Sequence, residues 1–305
     1  MKKVFLTVNC QGGLGNQLFQ FIIGYILAKK NNINLRINIE RYNSYQHQFE
    51  LDRFPEVHKL NIPKIKNDNF FFKIYLTLYH KFHKILKISG IYKLINYFFF
   101  LEKKEFEKSP FIFNGDLFKK KIVKNVSIIG FFQSEKYFIH CKKIVLKLFR
   151  FPKINDKLVQ YYLNLVKNKK NSVAIHIRRG DYFNNTKARH FHGILGKNYY
   201  KKSINYINRK LKNPTFFIFS DDIELVKKTL PFLNNKKYIF TNTKSSINDL
   251  YLMSNCKHFI IANSTFSWWG AWLSKNKHKI VCAPKRWVRA RISTPDIIPE
   301  NWIKI

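Results

Sequence analysis

Between residues 172 and 283, two kinds of segment take turns along the chain. Short apolar runs at 172–178, 215–220, 237–241, 258–262 and 279–283 have the length and β-branched content of strands. The stretches 198–212, 223–230, 246–255 and 266–274 have the apolar spacing of helices. Strands separated by helices pair in parallel, which predicts an α/β fold. Ligands of such sheets sit beyond the carboxyl ends of the strands. There the sequence turns polar: HIRRGD at 176–181, SDD at 220–222 and NST at 263–265. Three polar clusters along one sheet edge say more than any one of them alone.

The chain begins with a similar unit. Val4 to Val8 is a strand, GGLGNQ at 12–17 a turn, and the apolar spacing from Leu18 to Ala28 a helix. Further strands are expected at 35–39 and 127–132, and a helix at 135–149, which Pro152 follows. With 305 residues the chain is long enough for two α/β units. We expect one over 1–150, with an insertion around 57–125, and one over 151–305. The insertion, FFFKIYLTLYHKFHKILKISGIYKLINYFFFL in its middle, is aromatic and basic by turns. It fits amphipathic helices against a core, or a segment lying on a membrane surface.

Each polar cluster has a plain structural role and a chemical one. On an extended strand His176 and Arg178 share a face. Either Arg178 or Arg179 offers a planar fork of donors for phosphate oxygens, and an internal pair with Asp181 is the alternative. Ser220, Asp221 or Asp222 can cap the next helix. A carboxylate here can also accept the N–H pair of a guanine base, or two can hold a divalent metal. Asn263, Ser264, Thr265 and Ser267 open a helix whose N-terminus is a natural anion site. Capping over a tryptophan core is the simpler reading. Gly12 to Gln17 lack both the GxGxxG pattern and the Walker lysine, so a turn for close backbone approach is what they support. No G-x-S-x-G occurs, which argues against serine hydrolysis. His190 and His192 lack an obvious third metal ligand.

The formal net charge is +38. Such a charge suits nucleic acid or an anionic membrane. Lysine far outnumbers arginine and is scattered among the Asn, Ile, Phe and Tyr that AT-rich codons also supply. Nucleic-acid binding predicts basic residues clustered on one element. The arginines instead gather near the phosphate-like clusters and at Arg286, Arg289 and Arg291. The four cysteines, Cys10, Cys141, Cys256 and Cys282, show no metal or redox spacing, as expected of reduced thiols in a cytoplasmic protein. The start MKKVFLTVNC lacks the apolar core of a signal peptide, and no run of 18 apolar residues occurs. Peripheral contact with the inner face of the cell membrane stays open.

GGLGNQ, GFFQSEKYF at 130–138, HIRRGDY at 176–182, FSDD at 219–222 and NSTFSWWGAWL at 263–273 occur together and in order. The chain resembles the bacterial α-1,2-fucosyltransferases, glycosyltransferase family 11, from its first strand to DIIPENW at 296–302. The resemblance implies a GT-B-like architecture, two Rossmann-like domains facing a cleft. It implies a GDP-fucose donor held by the C-terminal half, a galactose-containing glycan acceptor of surface polysaccharide or O-antigen type on the N-terminal side, inversion at the anomeric carbon and no required metal. Arg178 is then the pyrophosphate residue. His176, Ser264, Thr265 and Ser267 stand beside it, Asp221 or Asp222 meets guanine, and Gly15 and Asn16 line the cleft. Asp181 is the expected base, with Glu50, Asp52 and Glu135 as rivals. Another GDP-sugar or linkage is the alternative within enzymes.

Overall fold

The computed structural model describes residues 3–43, 47–66, 103–107, 109–180 and 185–305. The aromatic and basic stretch at 70–101 and Asp181 lie outside the described residues.

The chain opens with β1 (Phe5–Asn9), α1 (Leu14–Asn31) and β2 (Asn34–Asn38). Short pieces follow: α2 (Pro55–His58), β3 (Lys64–Ile65), β4 (Lys103–Phe106), α3 (Asp116–Lys119) and β5 (Val126–Ile129). The five strands form a parallel sheet in the order β3-β2-β1-β5-β4. The flanks of the expected helical insertion therefore contribute two edge strands.

After α4 (Lys142–Leu148) and α5 (Lys157–Asn168) the second sheet begins at β6 (Ser172–Ile177). It continues through α6 (Thr186–His192), α7 (Lys197–Lys210), β7 (Thr215–Ser220), α8 (Ile223–Thr229), β8 (Tyr238–Phe240) and α9 (Ser246–Asn255). It ends with β9 (His258–Ile260), α10 (Thr265–Leu273), β10 (Val281–Ala283) and β11 (Ile303–Lys304). The order is β11-β10-β9-β6-β7-β8, all parallel. β6 is central, and all six of its residues are buried, as a strand covered on both faces requires. This is the expected α/β, GT-B-like arrangement of two parallel sheets.

One local expectation fails, and two elements lie beyond those expected. The helix at 135–149 breaks into two 3-10 turns before α4. Phe138 leaves helical geometry at φ −143°, and its ring stacks on Trp269 at 5.2 Å. Helix α5 was not anticipated, although Asp156 caps it by accepting the N–H groups of Leu158 and Val159, and Val159, Leu163 and Val166 form its buried stripe. A further strand, the C-terminal β11, pairs beside β10.

One continuous core joins the halves. Phe19 of α1 meets Trp268 and Trp269 of α10 at ring distances of 4.7 and 4.9 Å. The tail also crosses back. Asp296 accepts the Phe113 N–H at 2.7 Å and pairs with Lys136, while Trp268 donates its indole N–H to Ile297 O at 2.7 Å. No described helix is long and apolar enough to cross a membrane.

Candidate functional site

The carboxyl ends of both sheets face a cavity of about 870 Å³. Gly12 to Asn16 line it from the first half, and His176, Arg178, Asp221 and Asn263 to Phe266 from the second. The three polar strand ends are thus brought together.

The two adjacent arginines divide their work. Arg179 is 2% exposed. Its guanidinium donates to Arg178 O at 3.0 Å, Leu195 O at 3.1 Å and the Thr229 hydroxyl at 3.3 Å. Arg178 turns to the cavity wall, with its Nε 3.2 Å from the Asp221 carboxylate. Asp221 also accepts the Arg179 N–H at 2.8 Å. One carboxylate thereby fixes both the backbone and the side chain at the end of β6. Gly180 leaves it room: a Cβ there would lie 2.9 Å from the Asp221 carboxylate.

Both carboxylates at the end of β7 make structural contacts, and Asp221 also lines the cavity. Asp221 is engaged with the arginine pair. Asp222 is the N-cap of α8, accepting the Leu225 N–H at 2.9 Å. Among the described residues no group of three or more His, Cys, Asp or Glu side chains gathers as metal ligands would.

At the start of α10, Ser264 and Thr265 line the cavity, and the Ser264 side chain makes no capping bond. The first backbone N–H groups of a helix have no helical acceptor and favour an anion. Ser267 does not line this wall. It is fully buried, and its hydroxyl donates to Ser264 O at 3.1 Å. Asn263 reaches sideways, donating to His192 O at 2.8 Å.

His176 is 3% exposed, with its ring 5.5 Å from Phe266. Burial first, then the Arg178 charge, pulls its pKa down to about 3. It is therefore a neutral imidazole, and its Nδ1 has no hydrogen-bond partner among the described residues. Leaving such a group buried costs about 1–3 kcal/mol, which a ligand can offset.

The GNQLFQ stretch has a function that glycine spacing did not reveal. Asn16 Oδ1 accepts from Gln133 at 2.9 Å and from the Thr265 hydroxyl at 2.9 Å, tying both halves to one amide. Gln17 accepts the Glu50 N–H at 2.8 Å and donates to Gln48 O at 2.8 Å and Gly12 O at 3.2 Å. Gln20 accepts the Gln11 N–H at 3.0 Å and donates to Gly130 O at 3.0 Å. Gly15 lies against the Thr265 backbone, where any Cβ would collide. Three amides thus brace the loops of the cavity wall. Glu107 adds a fourth brace, accepting the N–H groups of Phe131 and Phe132 at 2.6 and 2.8 Å. Burial raises its pKa to about 7, although those two N–H groups favour the charged form.

Among the rival bases, Glu50 lines the cavity, accepts the Ser246 hydroxyl and pairs with Arg53 at 3.5 Å. Asp52 pairs with Lys64, and Glu135 accepts the Trp272 indole N–H at 2.9 Å. Sequence reasoning missed Asp249 and the placement of His192. Asp249 lines the cavity from α9 and accepts the Thr243 hydroxyl at 2.7 Å. Burial raises its pKa to about 6, against that hydrogen bond. Its only signal was an acidic residue in a first helical turn, which suits any helix. His192 lines the cavity from α6. His190 lies roughly 200° round the same helix, which rules out a joint site on one face.

The family model of Glycosyl transferase family 11 matches residues 5–305. The alpha-1,2-colitosyltransferase of Escherichia coli is 37% identical over 96% of either chain. The O-antigen biosynthesis glycosyltransferase WbnK of Escherichia coli is 31% identical over 96% of this chain and 98% of its own. The fold is similar to that of the selenomethionine form of the fucosyltransferase NodZ from Bradyrhizobium, at a TM-score of 0.50 and 11% identity over 89% of this chain and 92% of that one. With a match over nearly its whole length and the arginine-bearing strand end that the family resemblance calls for, the chain belongs to glycosyl transferase family 11.

Proposed function

We propose that this chain transfers L-fucose from GDP-fucose to the 2-hydroxyl of a galactose in an O-antigen or related glycan, with inversion, giving an α-1,2 linkage. The observation that carries the reading is the convergence of Arg178 and the N-terminus of α10 on one cavity. A departing nucleoside diphosphate develops negative charge, and preorganised donors aimed at that charge are a large catalytic term. Arg178 is held in place for this by Asp221. The same donors supply the positive potential a metal would otherwise bring, so we propose turnover without a divalent cation. The second half holds the donor, with His176 offering its neutral imidazole. Asp249, rather than Asp221 or Asp222, reads the base, since it lines the cavity and has no arginine to hold. The first half presents the acceptor, where Phe111 and Phe131 add apolar surface for a sugar face.

A second reading concerns the donor sugar. A relative 37% identical is named an alpha-1,2-colitosyltransferase, and colitose is fucose without its 3-hydroxyl. One assay separates the readings. GDP-fucose and GDP-colitose are offered with a β-galactoside in excess EDTA, and the product linkage is determined by NMR. An α-1,2-fucosyl product, at a rate within about twofold of that with Mg²⁺, is the expected result. Turnover of GDP-colitose alone selects the second reading. Activity that EDTA abolishes and Mn²⁺ restores overturns the metal-free mechanism.

A further inference from the structure

The turn that follows β5 is held in a conformation its residues do not favour. Phe132 sits at φ 51°, in the left-handed region. A bulky side chain stays there only where its surroundings over-determine it, and such positions cluster at functional sites. The surroundings here are specific. The Glu107 carboxylate, one residue past β4, accepts the N–H groups of Phe131 and Phe132 at 2.6 and 2.8 Å. The Glu107 N–H donates to Ile129 O at 2.8 Å, and the Gln133 N–H to Pro110 O at 2.9 Å. The chain after β4 is thus laced to the chain after β5 on both sides of the carboxylate. Gly130 is packed so closely that a Cβ there would fall 2.4 Å from the Glu107 Cβ.

The adjacent phenylalanines divide, as the adjacent arginines do. Phe132 is 1% exposed, with its ring edge-on to Tyr137 at 5.9 Å. Phe131 is partly exposed and lines the cavity, together with Pro110, Phe111 and Gln133.

We infer that Glu107 is a positioning residue for the acceptor: by holding this turn it keeps Phe131 at the cavity wall, where the ring takes the apolar face of the acceptor sugar. The inference rests on the glycosyl-transfer reading above and deepens it, by naming what the first half contributes to acceptor affinity. A pyranose ring carries hydroxyls around its rim and C–H groups on a face, and an aromatic wall suits that face. A wall fixed before binding adds affinity that a wall ordered on binding would lose. An ionised carboxylate that accepts two successive N–H groups fixes the turn more strongly than a neutral acceptor would. The donor side is built elsewhere, from Arg178, Asp221 and the start of α10 in the second half.

The test compares Glu107→Gln, Phe131→Ala and the double variant in the full chain. It uses steady-state kinetics with a β-galactoside and calorimetry with GDP. Glutamine keeps the shape but sets an NH₂ group against one of the two N–H donors. Each single variant should raise acceptor KM by about tenfold, near the top of the range for one aromatic contact. The change should be confined to KM, with kcat at saturating acceptor and GDP affinity within about threefold of wild type. Because Glu107 acts through Phe131, the double variant should match Phe131→Ala alone within about twofold. Effects that multiply in the double variant overturn the inference. So does an acceptor KM within about twofold of wild type in either single variant. A Glu107→Gln protein that fails to fold, or that loses GDP affinity in step with acceptor affinity, makes Glu107 a structural residue and overturns it too. The kinetics use whichever GDP-sugar the wild-type chain turns over. A wrong donor then shows in the wild type, and a wrong role for Glu107 only in the variants.

Discussion

At the edge of the first sheet, the loops of the cavity wall are braced by amides. Asn16, Gln17, Gln20 and Gln133 bond to backbone and to one another. At the edge of the second sheet the work is ionic: Arg178 meets Asp221, beside a neutral His176. The difference separates two tasks. A neutral amide bonded at both ends fixes geometry with little effect on local potential. A guanidinium beside a helix N-terminus creates potential, and a carboxylate must hold it in position. Under the proposed function, the first half sets the shape of the cleft and the second half stabilises the leaving group.

The largest expected effect comes from breaking the ionic side. Arg178→Lys keeps the charge and loses the planar fork. We expect kcat to fall by about 10²–10³, or 2.7–4 kcal/mol, the scale of removing one oxyanion donor. Steady-state kinetics on protein with wild-type circular dichroism checks it, and near-normal kcat would remove Arg178 from the leaving-group site.

Next comes the amide side. Gln17→Ala strips partners from the Glu50 N–H and the carbonyls of Gln48 and Gly12. Each polar group left unpaired in a buried place costs about 1–3 kcal/mol. Urea unfolding should show that loss, while GDP affinity of the folded fraction stays near wild type. A collapse of GDP affinity without lost stability would erase the division between the halves.

The smallest effect sharpens the carboxylate assignment. Asp222→Ala removes an N-cap and should cost about 1 kcal/mol of stability, within 0.5–2, with GDP affinity unchanged. Asp249→Asn should do the reverse, weakening GDP far more than pyrophosphate. Calorimetry with both ligands distinguishes them. If Asp222→Ala is the variant that loses GDP, the base is read at the end of β7 after all.

Much of the second half was legible in the chain itself. β7 spans the residues expected of it, as does α9, and neighbouring boundaries differ by at most two residues. The reason is local: apolar period and capping residues act within a few positions of where they are written. The same local logic placed polar clusters at the strand ends. It failed where a distant partner overrode it, as when Phe138 left its helix to stack on Trp269.

Strand alternation assigns neighbouring arginines to opposite sides, yet it cannot say which side holds the cavity. Only the packing of α7 and α8 decided that, by enclosing Arg179 near Tyr200 and Thr229 and leaving Arg178 at the wall. The same holds for the carboxylates. Asp221, Asp222 and Asp249 all suit helix starts in sequence, and their roles diverge only once an arginine, an N–H or a cavity stands beside each. The amide braces were the least legible of all. Asn16 joins Gln133 across 117 positions and Thr265 across 249. A hydrogen bond of that span has no local period to announce it, because it exists only after two sheets have folded and docked.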